Sequence, residues 1–276
     1  MSNISAADVA KLRRLTGAGM MDCKKALEEA AGDFEKAQKL IRKGGQAIAN
    51  KRADREASEG VVLAKTTADG KTGMMISLNC ETDFVAKNAD FIALGNKILD
   101  AALKTGPADL EGLKNITVDG KPASELVLEK SGITGEKFEL TFFSSISAPA
   151  VQAYIHPGNK LATMVGFSKA GIDVQVYKDV AMQVAAMNPV SLDKDDVPEK
   201  ILAQELEIAK EQARREGKPA DMLDKIAQGK LNKFFKEGTL MNQEFIKDNK
   251  LSVRQYLESK DKALKATAFV RYTLNV

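Results

Sequence analysis

The stretch Asn79-Cys80-Glu81-Thr82-Asp83-Phe84-Val85-Ala86-Lys87-Asn88 constrains this chain more than any other. The apolar run Met74-Met75-Ile76-Ser77-Leu78 leads into it, and a helical pattern from about Ala89 leads away. A strand gives way to a helix within a few residues of an acid and a large aromatic. Such junctions are where rigid scaffolds present binding residues. The residues by themselves leave Phe84 open between two roles: a core anchor, the default for a large aromatic, and a binding probe.

Composition narrows the choice. At 276 residues the chain can bury a substantial core and hold two or three structural units. Lysine and arginine number 41 against 38 acids, and the net charge of +3 lacks the strong positive excess of a dedicated nucleic-acid binder. With no Trp and aromatics at 5%, an extensive base-stacking platform is not expected. Cys23 and Cys80 alone cannot build a metal cage or a disulfide framework. The N-terminus shows neither an apolar signal region nor an Arg-rich transit peptide, and no apolar stretch is long enough to span a membrane. The expectation is a soluble, cytoplasmic protein without membrane or direct nucleic-acid partners.

Helical spacing comes first along the chain. Ser5 with Asp8 reads as an N-cap, and Val9, Leu12 and Leu15 recur at spacing three as an apolar face. Thr16-Gly17-Ala18-Gly19 breaks this helix; a second covers Met21 to Ala31 and stops at Gly32. Asp33 caps a third, with Phe34, Ala37, Leu40 and Ile41 repeating, and Gly44-Gly45 is its expected end. A compact three-helix domain over residues 1–45 follows, then a polar, mildly basic linker at 46–58.

The period then becomes that of strands. Val61 to Thr66, the Asp69-Gly70 turn and Gly73 to Asn79 read as a hairpin. Ile92, Ala93, Leu99, Ala102 and Leu103 give the following helix its buried face, and Phe138, Leu140 and Phe142 alternate in a further strand. The pattern repeats: Val151 to His156 lies over Val62 to Thr67, and Leu161 to Phe167 over Thr72 to Leu78. Two related α+β halves are expected, one at 59–148, the other at 149–189 with 237–276. Within the second, helices joined by Gly217-Lys218 form an antiparallel hairpin at 190–236, whose narrow apolar stripes suit a projecting arm. The fold class is α+β.

No constellation for chemistry emerges. Gly70-Lys71-Thr72 lacks the opening glycine of a phosphate loop, because Lys65 stands there. Gly17-Ala18-Gly19 lacks the third glycine of a dinucleotide fingerprint. His156 is the only histidine, so a histidine triad or histidine-rich zinc site is not available. Cys80 reads as a small buried residue, and Asp193, Asp195 and Asp196 lack the spacing of a calcium loop. No cofactor, no metal and no enzymatic site are expected.

Several segments, in order along the chain, resemble one family. Leu12-Arg13-Arg14-Leu15-Thr16-Gly17-Ala18-Gly19-Met20-Met21-Asp22-Cys23-Lys24-Lys25-Ala26-Leu27 closely resembles the N-terminal signature of elongation factor Ts, and Thr82-Asp83-Phe84-Val85-Ala86 is similar to its core motif. Ala181 to Ala186, Gly229 to Phe235 and Phe269 to Tyr272 match further on. The resemblance implies a ubiquitin-associated-like three-helix domain, a core of two related α+β subdomains and a helical-hairpin dimerisation arm. It also implies a guanine-nucleotide exchange factor for the translational GTPase elongation factor Tu.

In that family the phenylalanine of the core motif wedges between helices of the GTPase near its Mg2+ and phosphate site. It displaces support of the ion and favours a P-loop peptide flip that repels phosphate. The resemblance carries this role to Asp83 and Phe84, with Thr82 and Val85 beside them. Arg13, Met20 and Met21 match the N-terminal contact surface, and His156 a further contact. A family Ile-Gly-Glu segment stands here as Thr134-Gly135-Glu136, which carries over Gly135 and leaves open whether the apolar contact near Thr134 is kept. The sequence stops at Val276, so a C-terminal helical module of some members is not expected. Whether the 198–236 arm makes a homodimer, projects alone or packs against the GTPase stays open. A rival reading is an adaptor whose three-helix domain binds ubiquitin-like partners. With the resemblance, Phe84 becomes an expected exposed residue and Val85 an expected core one.

Overall fold

The computed structural model describes residues 4–274, with the backbone alone at Asp221. It opens with a three-helix unit, α1 (Ala6–Thr16), α2 (Met20–Glu29) and α3 (Phe34–Lys51). Ser5 and Asp8 form a reciprocal capping box, and Asp33 accepts hydrogen bonds from the Glu35 and Lys36 amides at the head of α3. Leu12, Cys23, Leu27 and Ala37 meet in a small core, with Phe34, Leu40 and Ile41 at its margin.

The expected end of the third helix at Gly44-Gly45 is corrected, because α3 runs through both glycines to Lys51. Gly45 is buried with its backbone against Gly132 of a later helix, a contact that the missing side chain of Gly132 permits, so Gly45 lies inside a packed helix instead of marking a stop. The segment expected as a linker over 46–58 is therefore helical to Lys51. Beyond that it is tied down, Arg52 to Glu81 and the Ala57 carbonyl to the Asn79 side-chain amide.

Two strand–helix units follow. The first runs β1 (Glu59–Thr66), β2 (Thr72–Cys80), α4 (Asp83–Ala86), α5 (Ala89–Thr105), α6 (Leu110–Asn115), β3 (Thr117–Val118), β4 (Lys121–Pro122), α7 (Ala123–Thr134) and β5 (Glu139–Ser147). The second begins with β6 (Ala150–Ile155), β7 (Leu161–Phe167) and α8 (Val174–Met187). The arm helices α9 (Glu199–Arg215) and α10 (Leu223–Gly238) come next. β8 (Glu244–Phe245), β9 (Asp248–Ser252), α11 (Val253–Lys260) and β10 (Ala266–Thr273) complete it. Each main sheet is antiparallel, ordered β1-β2-β5 and β10-β7-β6, with the return strand of its hairpin in the middle.

The repeat in the sequence is a repeat of register. Val62 faces Ser77 and Thr66 faces Gly73 in the first hairpin; Val151 faces Gly166 and Ile155 faces Ala162 in the second. One shift along the chain carries each pair onto its counterpart. Contacts between the halves are reciprocal too. The Val62 amide donates to the Asn159 carbonyl at 2.6 Å, and the Val151 amide to the Gly70 carbonyl at 2.7 Å. The same shift takes Val62 to Val151 and Gly70 to Asn159, so the halves meet about a pseudo-twofold axis, as subunits do in an isologous dimer.

Strand alternation builds four layers from this contact. Leu63, Met74, Ile76 and Leu78 face a core shared with α5 and α7. Val62, Ala64 and Met75 face the other sheet, meeting Val151, Ala162 and Met164. Phe142 and Tyr272 stack across that interface with ring centroids 3.9 Å apart. Val165 and Phe167 pack outward beneath α8 and α11. Both faces of β2 and β7 are covered, which explains their nearly unbroken apolar sequences. The arm helices bury little beyond Ala209, Ala213 and Ala227.

Asp179 of α8 is 5% exposed and accepts from Lys247 and Gln175 at 2.7 Å and from Tyr256 at 2.8 Å. Burial alone would raise its pKa, but these donors and the Lys247 charge outweigh burial and hold it below the usual carboxylate value. Asp179→Asn is expected to cost on the order of 1–3 kcal/mol at neutral pH. Since the folded-state pKa is the depressed one, that contribution is whole above the unfolded value of about 4 and disappears as pH falls through the folded value. Urea unfolding of parent and variant across pH should show the gap closing only on the acid side.

Candidate functional site

The residues on either side of Phe84 are fastened to the fold. Asn79, buried near the end of β2, accepts from the Ser77 and Thr141 hydroxyls, both at 2.7 Å. Cys80 is fully buried; burial, with the Glu136 charge adding to it, pushes its thiol up to about 12, so the nucleophilic thiolate is suppressed at neutral pH. Glu81 accepts from the Lys137 amide at 2.7 Å and from Arg52 at 3.0 Å. Burial opposes its charge, yet these donors keep its pKa below the ordinary value. Thr82 caps α4: its hydroxyl accepts from the Val85 amide and donates to Glu136 at 2.7 Å, while its own amide donates to the second Glu136 oxygen at 3.1 Å. Ala86 is buried, and Val85 is half-buried against the core beneath α5.

Two side chains on this turn remain outward. Asp83 pairs with Lys87 at 2.6 Å, and that hydrogen bond holds its carboxyl below the ordinary value. Phe84 is 83% exposed. The core-anchor role open to Phe84 from its type alone is excluded. Geometry gives the reason: α4 is a single turn, and each helical residue advances about 100°. With Val85 and Ala86 turned inward to hold it, Phe84 points away.

The tip gathers some of the other candidate residues. Gly135 ends α7 in the left-handed conformation, φ 74°, immediately before the Glu136 that grips Thr82. The β6–β7 turn reaches the same end, where Lys160 pairs at 3.0 Å with Glu59, the residue facing Cys80 across β1 and β2. Its charge also contributes to the lowered pKa of Asp83. His156 begins this turn, exposed, with Nδ1 3.1 Å from the Tyr154 hydroxyl.

Arg13, Met20 and Met21 stand apart, exposed on the three-helix unit. Leu15 joins them at 60% exposure. Its spacing had placed it on the apolar face of α1, but that face closes over Val9 and Leu12 alone. Glu136 was missed for another reason: its partner Thr82 is far away in sequence, and nothing local marks the pair. Among the described residues, no group of three or more His, Cys, Asp or Glu could hold a metal ion, and no helix is long and apolar enough to cross a membrane.

A sequence profile of the family described as elongation factor TS matches residues 81–276, beginning at the tip and running through β5, the second sheet and the arm. The chain belongs to the elongation factor Ts family. Curated relatives carry the likeness over nearly the full length. It is 51% identical over 269 residues to the elongation factor Ts of Porphyromonas gingivalis, covering 97% of each chain. For Amoebophilus asiaticus the identity is 55% over 256 residues and 92% of each chain. For Christiangramia forsetii it is 50% over 279 residues, covering 99% of this chain and 100% of the relative. Membership places the chain among the factors of translation elongation in protein biosynthesis.

The grip on Thr82 yields a direct check. Glu136→Ala removes both acceptors, and losing hydrogen bonds to a charged group costs roughly 1.5–3 kcal/mol. Amide hydrogen exchange at Val85 and Ala86 should quicken by about tenfold or more, while exchange in the β6–β7 hairpin stays unchanged.

Proposed function

We propose that this chain binds the GDP-bound form of the translational GTPase elongation factor Tu and accelerates GDP release, so that GTP can load. Asp83 and Phe84 enter near the Mg2+ and phosphate site of the GTPase. The phenylalanine wedges between helices there, withdraws support from the ion and favours a peptide flip that repels phosphate. The chain makes and breaks no bond in this role; it is an exchange factor acting in the cytoplasm.

The observation that carries the reading is one aromatic held out on a turn whose flanking residues are fastened down. Single exposed apolar side chains are common, so exposure alone says little. Rigid presentation says more, because a side chain already fixed in its binding pose loses less entropy when another protein buries it. The exposed Met20 and Met21, with Arg13, His156 and Gly135, supply the dispersed contacts that such a factor needs.

Magnitudes require that dispersal. Burying one Phe contributes roughly 1.5–3 kcal/mol, which is too little to oppose a tightly held Mg·GDP. The rest of the interface must contribute. Coupling is also reciprocal: a factor that weakens GDP binding is itself weakened by GDP to the same extent. Exchange is therefore accelerated without choosing a nucleotide, and the nucleotide concentrations choose.

Stopped-flow release of a fluorescent GDP from elongation factor Tu tests the proposal. Phe84→Ala should slow the stimulated release by on the order of ten- to a hundredfold, the range that loss of one buried Phe allows. An unchanged rate would defeat the reading.

A further inference from the structure

The three-helix unit carrying Met20 and Met21 and the core carrying Phe84 are joined by a contact that neither surface requires for itself. Two-thirds of the way along α3, Gly45 lies buried against Gly132 of α7, backbone on backbone. The contact is asymmetric. A Cβ placed on Gly132 would overlap the Cα, carbonyl carbon and carbonyl oxygen of Gly45, all rigid backbone. A Cβ placed on Gly45 would sit 3.4 Å from Gly132 Cα, an ordinary contact. Gly132 is thus the residue that lets the helices meet.

Both helices continue from this crossing to the tip. α3 is followed at its C-terminus by Arg52, whose guanidinium reaches both oxygens of Glu81 at 3.0 Å, one residue before Thr82. α7 ends at Gly135, and the next residue, Glu136, takes the Thr82 amide and hydroxyl. Nearer the three-helix core, Arg42 forms ion pairs with Glu125 and Glu129 of α7. The α1–α2 turn also reaches α7, where a Cβ on Gly17 would lie 3.9 Å from Ile133. An open cleft of about 810 Å3 flanks this contact, bounded by Arg42, Gly45 and Glu129 and opening toward Arg14, Asp90 and Lys97. The attachment is a strut along α3 and α7.

We infer that Gly132, Arg52 and Glu81 are positioning residues that hold the Met20–Met21 surface at a fixed span from Phe84. Once the three-helix surface has docked, the tip then meets its site intramolecularly, at an effective concentration that a loose tether would lower. Chemistry at the tip is untouched by the strut; the probability of reaching it is what the strut sets. This inference rests on the exchange reading for its kinetic consequence only.

Two measurements on the full chain decide it. In the first, fluorescent-GDP release from elongation factor Tu is followed against factor concentration. Gly132→Val should raise the half-saturating concentration by about tenfold or more, as lost effective concentration does, and keep the limiting rate within about twofold, since the transition itself is unaltered. Gly45→Ala should change neither. Unchanged half-saturation in folded Gly132→Val, or a limiting rate that falls in step with it, overturns the inference.

The second measurement needs neither the partner nor that variant. Spin labels are placed at Lys25→Cys and Ala89→Cys, exposed positions on α2 and beside the tip, with Cys23 and Cys80 buried out of reach. Their separation should be one narrow distribution in the otherwise unaltered chain and a broader one after Arg52→Ala. A broad distribution before Arg52 is altered overturns the strut, whatever the exchange assays give. A Phe84→Ala variant that exchanges normally would instead remove the functional reading and leave the distance result standing.

Discussion

The face-to-face contact of the two sheets is the constraint on which the rest of this structure depends. Strand alternation gives each sheet one set of apolar residues for its helices and another for its twin, and Val62, Met75, Val151 and Met164 belong to the second set. Neither half buries that face alone. The reciprocal amide bonds, Val62 to Asn159 and Val151 to Gly70, lock the halves in one relative position and use backbone donors that water would otherwise have to satisfy. Because both bonds start from equivalent residues, the arrangement is that of a homodimer fused into one chain.

That arrangement fixes where the two β-hairpins point their ends. The pseudo-twofold axis brings the β6–β7 turn of the second half to the end of the first half where β1 begins and β2 stops. Lys160 thereby approaches the 81–88 segment, although it comes from the other repeat. A tip braced by both halves at one end needs no flexible element. Its partners are contributed by strand ends, which a close-packed core holds still.

The tip is an exception to burial that its neighbours make possible. A four-residue helix could not hold itself together in water. Thr82, Val85 and Ala86 supply the missing stability through Glu136 and the core below α5, and what remains outward is Asp83 and Phe84. The same economy operates in the three-helix unit. A small core of Leu12, Cys23 and Leu27 closes the bundle, and Leu15, Met20 and Met21 are left over on its surface.

Much of this was legible in the residues. Hairpin turns at Asp69-Gly70, caps at Ser5 and Asp33, the repeat that lays Val151 over Val62, and the motif resemblance at Thr82 to Ala86 are all local signals, and local signals survive in sequence. They were enough for the α+β class, for the doubling of the core and for nominating Phe84. They could not decide whether Gly44-Gly45 ends a helix, since a glycine that stops a helix and one that admits a neighbouring backbone look alike until Gly132 arrives opposite. Nor could they decide that Leu15 lies outside the bundle, that Glu136 grips Thr82, or that Phe84 stays in solvent. Each of these depends on a contact between segments distant along the chain, and pairing at a distance is information that only packing supplies.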